Sequence, residues 1–135
     1  MRTFDVVVIG AGPAGEVAAG RLADRGMSVA VVEDRLVGGE CSYWACMPSK
    51  SLLRPYEALW EARRIPGPQQ ACTGTLDVLA VLARRDEVIH DLDDSGQVPF
   101  LEDAGVELFR EHGRLDGERR VMRVMCLRTY GFPGV

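Results

Sequence analysis

No run or stripe of basic residues occurs in the 135-residue sequence, and the formal net charge is −4. A nucleic-acid-binding surface therefore has no electrostatic footprint here. No apolar stretch approaches the roughly 20 residues that cross a bilayer. The run Val6-Val7-Val8-Ile9 is too short for the core of a signal peptide and precedes no cleavage site. These absences exclude a membrane role and point to the cytoplasm. Histidine is scarce, and His90 and His112 complete no zinc pattern with the four cysteines. No metal site is expected. Internal repeats, low-complexity tracts and interdomain linkers are also missing, so one modest domain is expected.

What the sequence does contain begins at its N-terminus. Phe4 to Ile9 is a continuous apolar run of the kind that forms a strand buried on both faces of a parallel sheet. It leads into Gly10-Ala11-Gly12-Pro13-Ala14-Gly15. Residues 13–25 then read as a helix, with Pro13 suited to its first turn and Gly26 ending it. Val17, Ala18 and Leu22, with the stem of Arg21, make its expected inward face. Ser28 to Val32 reads as a second buried strand, closed by Glu33. This is a β-α-β unit with G-x-G-x-x-G at its first turn and an acid 18 residues after the last glycine. Alone, the glycine pattern is weak. Placed between a strand and a helix, with the acid at the end of the second strand, it is the signature of a dinucleotide site. Gly10 permits the tight turn, Gly12 lets a pyrophosphate approach the backbone, and Gly15 lets helix and strand pack closely. The helix N-terminus offers N–H groups to the phosphates. Glu33 is suited to accept hydrogen bonds from a ribose 2′-hydroxyl.

A second motif follows: Gly38-Gly39-Glu40-Cys41-Ser42-Tyr43-Trp44-Ala45-Cys46-Met47-Pro48-Ser49-Lys50. Five residues of regular helix advance about 7.5 Å and turn the side chain off the first face. A disulfide needs Cα atoms within about 6.8 Å. Cys41 and Cys46 therefore meet only across an irregular turn or a distorted first helical turn. Otherwise they are two ordinary half-buried cysteines. Two thiols held on such backbone near a helix N-terminus are expected to have a lowered thiolate pKa. Lys50, one helical turn past Cys46, adds positive charge.

Beyond this, Ser51 to about Arg63 reads as a helix whose stripe Leu52, Leu53, Tyr56, Leu59 and Trp60 is expected to be core. Ile65 to Gln70 is a loop by composition. Thr75 is the expected cap of a helix from about Asp77 to Leu92, with Val78, Val81, Leu82, Val88, Ile89 and Leu92 apolar. His90 and the acids around it read as a solvated face. Asp93-Asp94-Ser95-Gly96 breaks the helix. Pro99 to Ala104 is short and irregular or helical, and 106–109 is a strand. Gly113 and Asp116-Gly117 mark turns, and about 120–124 is another strand.

The order and spacing of the two motifs over roughly residues 4–120 resemble the class I flavoprotein disulfide reductases, which include dihydrolipoamide dehydrogenase, glutathione reductase and mercuric reductase. The resemblance implies an α/β fold, a Rossmann-type FAD-binding domain with a parallel sheet in three layers. Gly10, Gly12 and Gly15, with Pro13 and Ala14, would hold the FAD pyrophosphate, and Glu33 the adenosine ribose. Gly38 and Gly39 would lie along the cofactor, Lys50 near the flavin N5, and Gly113 against the adenine. Cys41 and Cys46 would form the redox-active disulfide. Cys41 would be the interchange thiol and Cys46 the thiol facing the flavin. Electrons would pass from NAD(P)H through FAD and the disulfide to a small-molecule disulfide or related oxidant.

The sequence also departs from the family pattern. Ala45 stands where Gly is common and Glu40 where Thr is frequent. A carboxylate beside Cys41 disfavours its thiolate yet suits a positive helix end. Family members run several times longer, with a nicotinamide domain and an interface domain that makes them homodimers. Neither is found here, so residues 1–121 are expected to be the N-terminal part of an incomplete FAD-binding domain. Residues 122–135 are expected to be an atypical tail from truncation or frameshift. Exposed sheet edges and apolar surface should result. Two other readings stand beside the leading one: a non-catalytic dinucleotide-binding fragment, and a dithiol redox protein that works without flavin.

Overall fold

The structure, a computed structural model, describes residues 2–124. Cys126 and most of the expected 122–135 tail lie outside the described residues. The chain runs β1 (Val6–Ile9), α1 (Pro13–Ala23), β2 (Val29–Val32), α2 (Gly39–Tyr43) and α3 (Cys46–Arg64). It continues through α4 (Pro68–Ala71), α5 (Val78–Val88), α6 (Val98–Asp103), β3 (Glu107–Phe109), β4 (His112–Leu115) and β5 (Val121–Val124). β1, β2 and β3 form a parallel sheet in that order, with Val8 opposite Val31 and Val31 opposite Leu108. β4 and β5 pair as an antiparallel hairpin, Gly113 opposite Arg123.

Strand alternation sorts the sheet into two faces. Val6, Val8, Val29, Val31 and Leu108 face a core shared with Ala11, Ala19, Leu22, Val37, Leu101 and Val106. Val7, Ala30, Val32 and Phe109 face the hairpin, across a cavity of about 500 Å³ also lined by Arg2 and Arg123. Helices, parallel sheet and hairpin make the three layers of an α/β fold. Asp5 fixes the start of the β1–β2 register, accepting from both the amide (2.8 Å) and the hydroxyl (2.7 Å) of Ser28. Those bonds hold its carboxyl below the usual range.

Several expectations change. β1 is buried on one face only, with Val7 37% and Ile9 44% exposed. Its outer edge has no strand beside it among the described residues, and the hairpin covers its outer face incompletely. The inward face of α1 is Ala19 and Gly20 with Leu22 and Ala23, while Val17 and Ala18 are exposed. The helix starts at Pro13, so Gly15 and Ala19, one turn apart, take the sheet side. α3 starts at Cys46, five residues early, because Pro48 in the first turn has no helical acceptor to lose. Its expected core stripe is largely outside: Leu53, Tyr56 and Trp60 are exposed, Tyr56 at 61%. Among the described residues α3 packs against α5, α2 and α4, and these contacts leave that stripe largely uncovered. Of the apolar positions expected from Val78 to Leu92, Val78 and Leu82 are exposed, Val81, Val88 and Leu92 half-buried, and Ile89, just past α5, buried.

A short helix, α4, replaces the expected loop. Asp77, not Thr75, caps α5 by accepting from the Ala80 amide at 3.1 Å. α5 ends at Val88, where His90, Asp91 and Leu92 turn left-handed with φ of 52°, 50° and 65°. Asp94, within the expected helix-breaking stretch, is buried. Gly113 lies within β4, and the turn of the hairpin falls at 116–120, closed by the Asp116 amide on the Arg120 carbonyl at 2.9 Å.

Candidate cofactor and dithiol site

The site is built at the carboxyl ends of β1 and β2. β1 hands over to the glycine turn where the Gly10 amide bonds the Val32 carbonyl at 2.8 Å. Gly12 is the N-cap of α1 and Pro13 its first residue. No side chain caps this end, so the first-turn amides of Ala14 and Gly15 are left without helical partners. A Cβ on Gly15 would sit closer than 3.0 Å to the Gly10 carbonyl oxygen, so helix and strand close up only around glycine here. A Cβ on Gly12 would meet nothing within 4 Å. The backbone of the turn is thus open in front of the helix N-terminus, as an approaching phosphate requires.

Glu33, 8% exposed, closes the turn from β2. Its Oε2 accepts the Ala11 amide and its Oε1 the Arg35 amide, each at 2.7 Å. A carboxylate has about four acceptor positions, so each oxygen keeps capacity for a hydroxyl. Glu33 thereby shapes the turn and remains able to hold a ribose. The next loop folds back onto the same turn. The Gly38 amide bonds the Ala11 carbonyl at 2.7 Å. Gly39 has φ +58°, and a Cβ there would lie 2.7 Å from the Gly12 Cα. Gly113 reaches the same end from the hairpin, where a Cβ would press on Val32 at 3.0 Å and Ile9 at 3.4 Å.

Gly39 is also the first residue of α2, so Cys41 follows two residues after the glycine contact. Between α2 and α3 the backbone leaves helical geometry at Trp44 and Ala45, and the Trp44 and Ala45 amides both fall on the Glu40 carbonyl. This break supplies the irregular turn that C-x4-C needs. Cys41 and Cys46 are free thiols, close enough for each to act on the other's ionisation. The expected lowering of the thiolate pKa does not hold at Cys41. Its hydrogen bond with Cys46 raises it, burial and the charge of Cys46 act the same way, and Lys50 opposes them weakly. Glu40 takes no part: its carboxylate pairs with Arg35 at 2.8 Å, and the Arg35 guanidinium lies 3.8 Å over the Trp44 ring.

The structure thus brings Gly10, Gly12, Pro13, Ala14, Gly15, Glu33, Gly38 and Gly39 together and places Cys41 and Cys46 next to them. Lys50 lies on α3, and its charge is felt at Cys41. Sequence reasoning missed Asp94 and Arg110, which hold the 35–37 loop, and Tyr43, buried under Gly38. Burial and the neighbouring charges of Asp94, Glu16 and Asp93 push the Tyr43 phenol up.

Comparison with known proteins gives the family and the fold. The family model for pyridine nucleotide-disulphide oxidoreductases matches residues 4–121. Dihydrolipoyl dehydrogenase of Thermus scotoductus is 36% identical over 121 residues, 90% of this chain and 26% of that protein. The Chlamydia muridarum enzyme of the same name is 39% identical over 147 residues, 98% of this chain and 32% of that one. Two solved structures share the fold. LpdA from Mycobacterium tuberculosis has a TM-score of 0.64 at 24% identity, over 82% of this chain and 24% of its own. The Cu(II) complex of the HOCl-induced flavoprotein disulfide reductase RclA from Escherichia coli has a TM-score of 0.66 at 24% identity, over 85% of this chain and 23% of its own. The chain spans about a quarter to a third of the length of these curated relatives. Glycine turn, acid and dithiol loop all fall within the matched residues, and this chain belongs to the pyridine nucleotide-disulphide oxidoreductase family.

Proposed function

We propose that this chain supplies the adenosine-diphosphate end of an FAD site and the redox dithiol of a dihydrolipoyl dehydrogenase-like oxidoreductase acting on sulfur. The family is FAD-dependent, with NAD(P)H as second cofactor. FAD, when bound, supplies two-electron exchange between the nicotinamide and the dithiol. The observation that carries the reading is the backbone contact of Gly39 on Gly12, which ties the start of the dithiol helix to the dinucleotide turn. The open amides of α1 suit the pyrophosphate, Glu33 the ribose hydroxyls and Gly113 the adenine edge.

The thiol chemistry follows from the pair. In the reducing direction the Cys41 thiolate attacks one sulfur of a small-molecule disulfide and expels the other as thiolate. That leaves a mixed disulfide on Cys41. The Cys46 thiolate then attacks the Cys41 sulfur, releases the second substrate thiol and closes the Cys41–Cys46 disulfide. Two electrons leave the pair and two thiols are produced. Lys50 stabilises negative charge at Cys41 during the exchange.

The test is a visible spectrum after incubation with FAD and desalting, then after mild reduction. A retained flavin band with a long-wavelength charge-transfer band on reduction supports the reading, and Cys46→Ser should then abolish the second band alone. A colourless protein refutes the reading and leaves either a non-catalytic dinucleotide-binding fragment or a dithiol that works without flavin. In that case alkylation of Cys41 and Cys46 is indifferent to added FAD.

A further inference from the structure

The loop that carries Gly38 and Gly39 is held from behind by two residues outside both motifs. Asp94, 9% exposed, follows the left-handed turn after α5. Its Oδ2 accepts the buried Val37 amide at 2.6 Å. The same oxygen accepts from the Arg110 guanidinium, which also donates to the Arg35 carbonyl at 3.3 Å. Carboxylate and guanidinium therefore grip one loop at two backbone points. The Asp94 turn is itself braced. Its own carbonyl receives the Gln97 amide at 2.9 Å, and Asp93 accepts both the amide and the hydroxyl of Ser95 at 2.9 Å. From Val37 the restraint passes to the Gly38 amide on Ala11 and the Gly39 amide on Leu36, and so to the Gly12 contact.

We infer that Asp94, seated by Arg110, is a positioning residue for the cofactor site: it presses Val37–Gly39 onto the glycine turn and so sets the entry of α2 with Cys41. This rests on the dinucleotide reading above for its ligand half only. A bond from a backbone amide to a buried carboxylate is among the stronger hydrogen bonds, and its loss changes equilibria by roughly 10- to 100-fold. Plain electrostatics predicts the opposite sign for an anionic ligand. Removing a negative charge near the site should tighten it.

The experiment compares Asp94→Ala and Asp94→Asn in the full chain. Amide exchange is read by NMR or mass spectrometry, and ADP is titrated by calorimetry. In Asp94→Ala, exchange at Val37, Gly38 and Gly39 should speed by about tenfold or more relative to amides of β2. ADP should bind at least about tenfold more weakly. Asp94→Asn keeps an acceptor for Val37 and should recover most of both. General loss of stability would instead speed exchange in β2 equally. Wild-type exchange at the three amides in Asp94→Ala overturns the proposal, as does tighter ADP binding in both variants. Where Asp94→Ala does not fold, Arg110→Gln should show a smaller acceleration at the same amides, and unchanged rates there overturn the proposal as well. A wild-type chain that ignores ADP refutes the dinucleotide reading and with it the ligand half. The exchange result still decides the clamp.

Discussion

One substitution, made at two positions of the same helix, isolates the close approach on which the site depends. Gly15 and Gly20 both lie in α1. Replacing helical Gly by Ala gains about 0.8–1 kcal/mol from propensity alone. At Gly20 the new methyl would meet the Phe100 ring at 3.7 Å, an ordinary contact, so Gly20→Ala should stabilise by about 0.5–1 kcal/mol. At Gly15 it would drive into the Gly10 carbonyl, with Val8 Cγ1 at 3.5 Å behind it. The obstacle is backbone, which cannot rotate away, so the overpacking cost belongs near the upper end of the usual range, about 3 kcal/mol. Less the propensity gain, Gly15→Ala should destabilise by about 2 kcal/mol. The two variants should therefore differ by roughly 3 kcal/mol, or about 10 °C in Tm for a domain of this size. Thermal and urea unfolding followed by circular dichroism would measure it. A Gly15→Ala protein that melts at or above the wild-type temperature would show that helix and strand do not approach as described. The packing argument for the glycine turn would then fall.

The dithiol gives a pH prediction. Because the Cys41 thiol is pushed up, chiefly by its hydrogen bond with Cys46, its alkylation in the reduced chain should rise only above the ordinary thiol range. Cys46→Ala should move that midpoint down, and Lys50→Gln should move it up. Equal midpoints in all three proteins would contradict the described contact. Asp5 has a lowered folded pKa, so its stabilisation is present above the unfolded value of about 3.9 and is lost as pH falls through the folded value. Asp5→Asn should accordingly flatten the acid limb of a stability–pH curve and leave the slope near pH 7 unchanged. Asp77→Ala should cost about 1 kcal/mol through the lost α5 cap, whereas Thr75→Ala should be near neutral in the same urea titration.

The parts of this fold that were legible are those whose signals are local. The β1–α1–β2 unit, its glycine turn and Glu33 lie within one continuous stretch, where strand run, breaker and helix start constrain each other. The inward face of α1 was not legible in the same way. A helix face depends on where the helix begins, and Pro13 sets a phase that buries Ala19 in place of Val17. Apolar periodicity in α3 located the helix and misjudged its surroundings, since a stripe shows that a face is apolar and not that anything covers it. β4 has no alternating pattern: His-Gly-Arg-Leu becomes a strand only by pairing with β5. Asp94 was hidden for a related reason. Its partners Val37 and Arg110 lie 57 and 16 residues away, and an acid in Asp-Asp-Ser-Gly otherwise looks like a turn residue.

The two departures from the family pattern beside the cysteines follow from how the site is held. Cys41 is placed by backbone: Gly39 against Gly12, the Gly38 amide on Ala11, the Val37 amide on Asp94. None of these contacts uses the side chain of residue 40 or 45. Ala45 has φ −121°, where glycine has no advantage, so the methyl is tolerated at the α2–α3 break. Glu40 is drawn off by Arg35, which anchors on Trp44, and its charge is spent away from the thiol. Removing that anchor should expose the carboxylate's effect. In Arg35→Met the Glu40 charge loses its partner, so Cys41 alkylation should shift to still higher pH. The double variant Arg35→Met/Glu40→Gln should return it to the wild-type midpoint. If the single variant leaves the midpoint where it was, Glu40 lies too far from Cys41 to matter. Residue 40 would then be free to vary with or without its arginine.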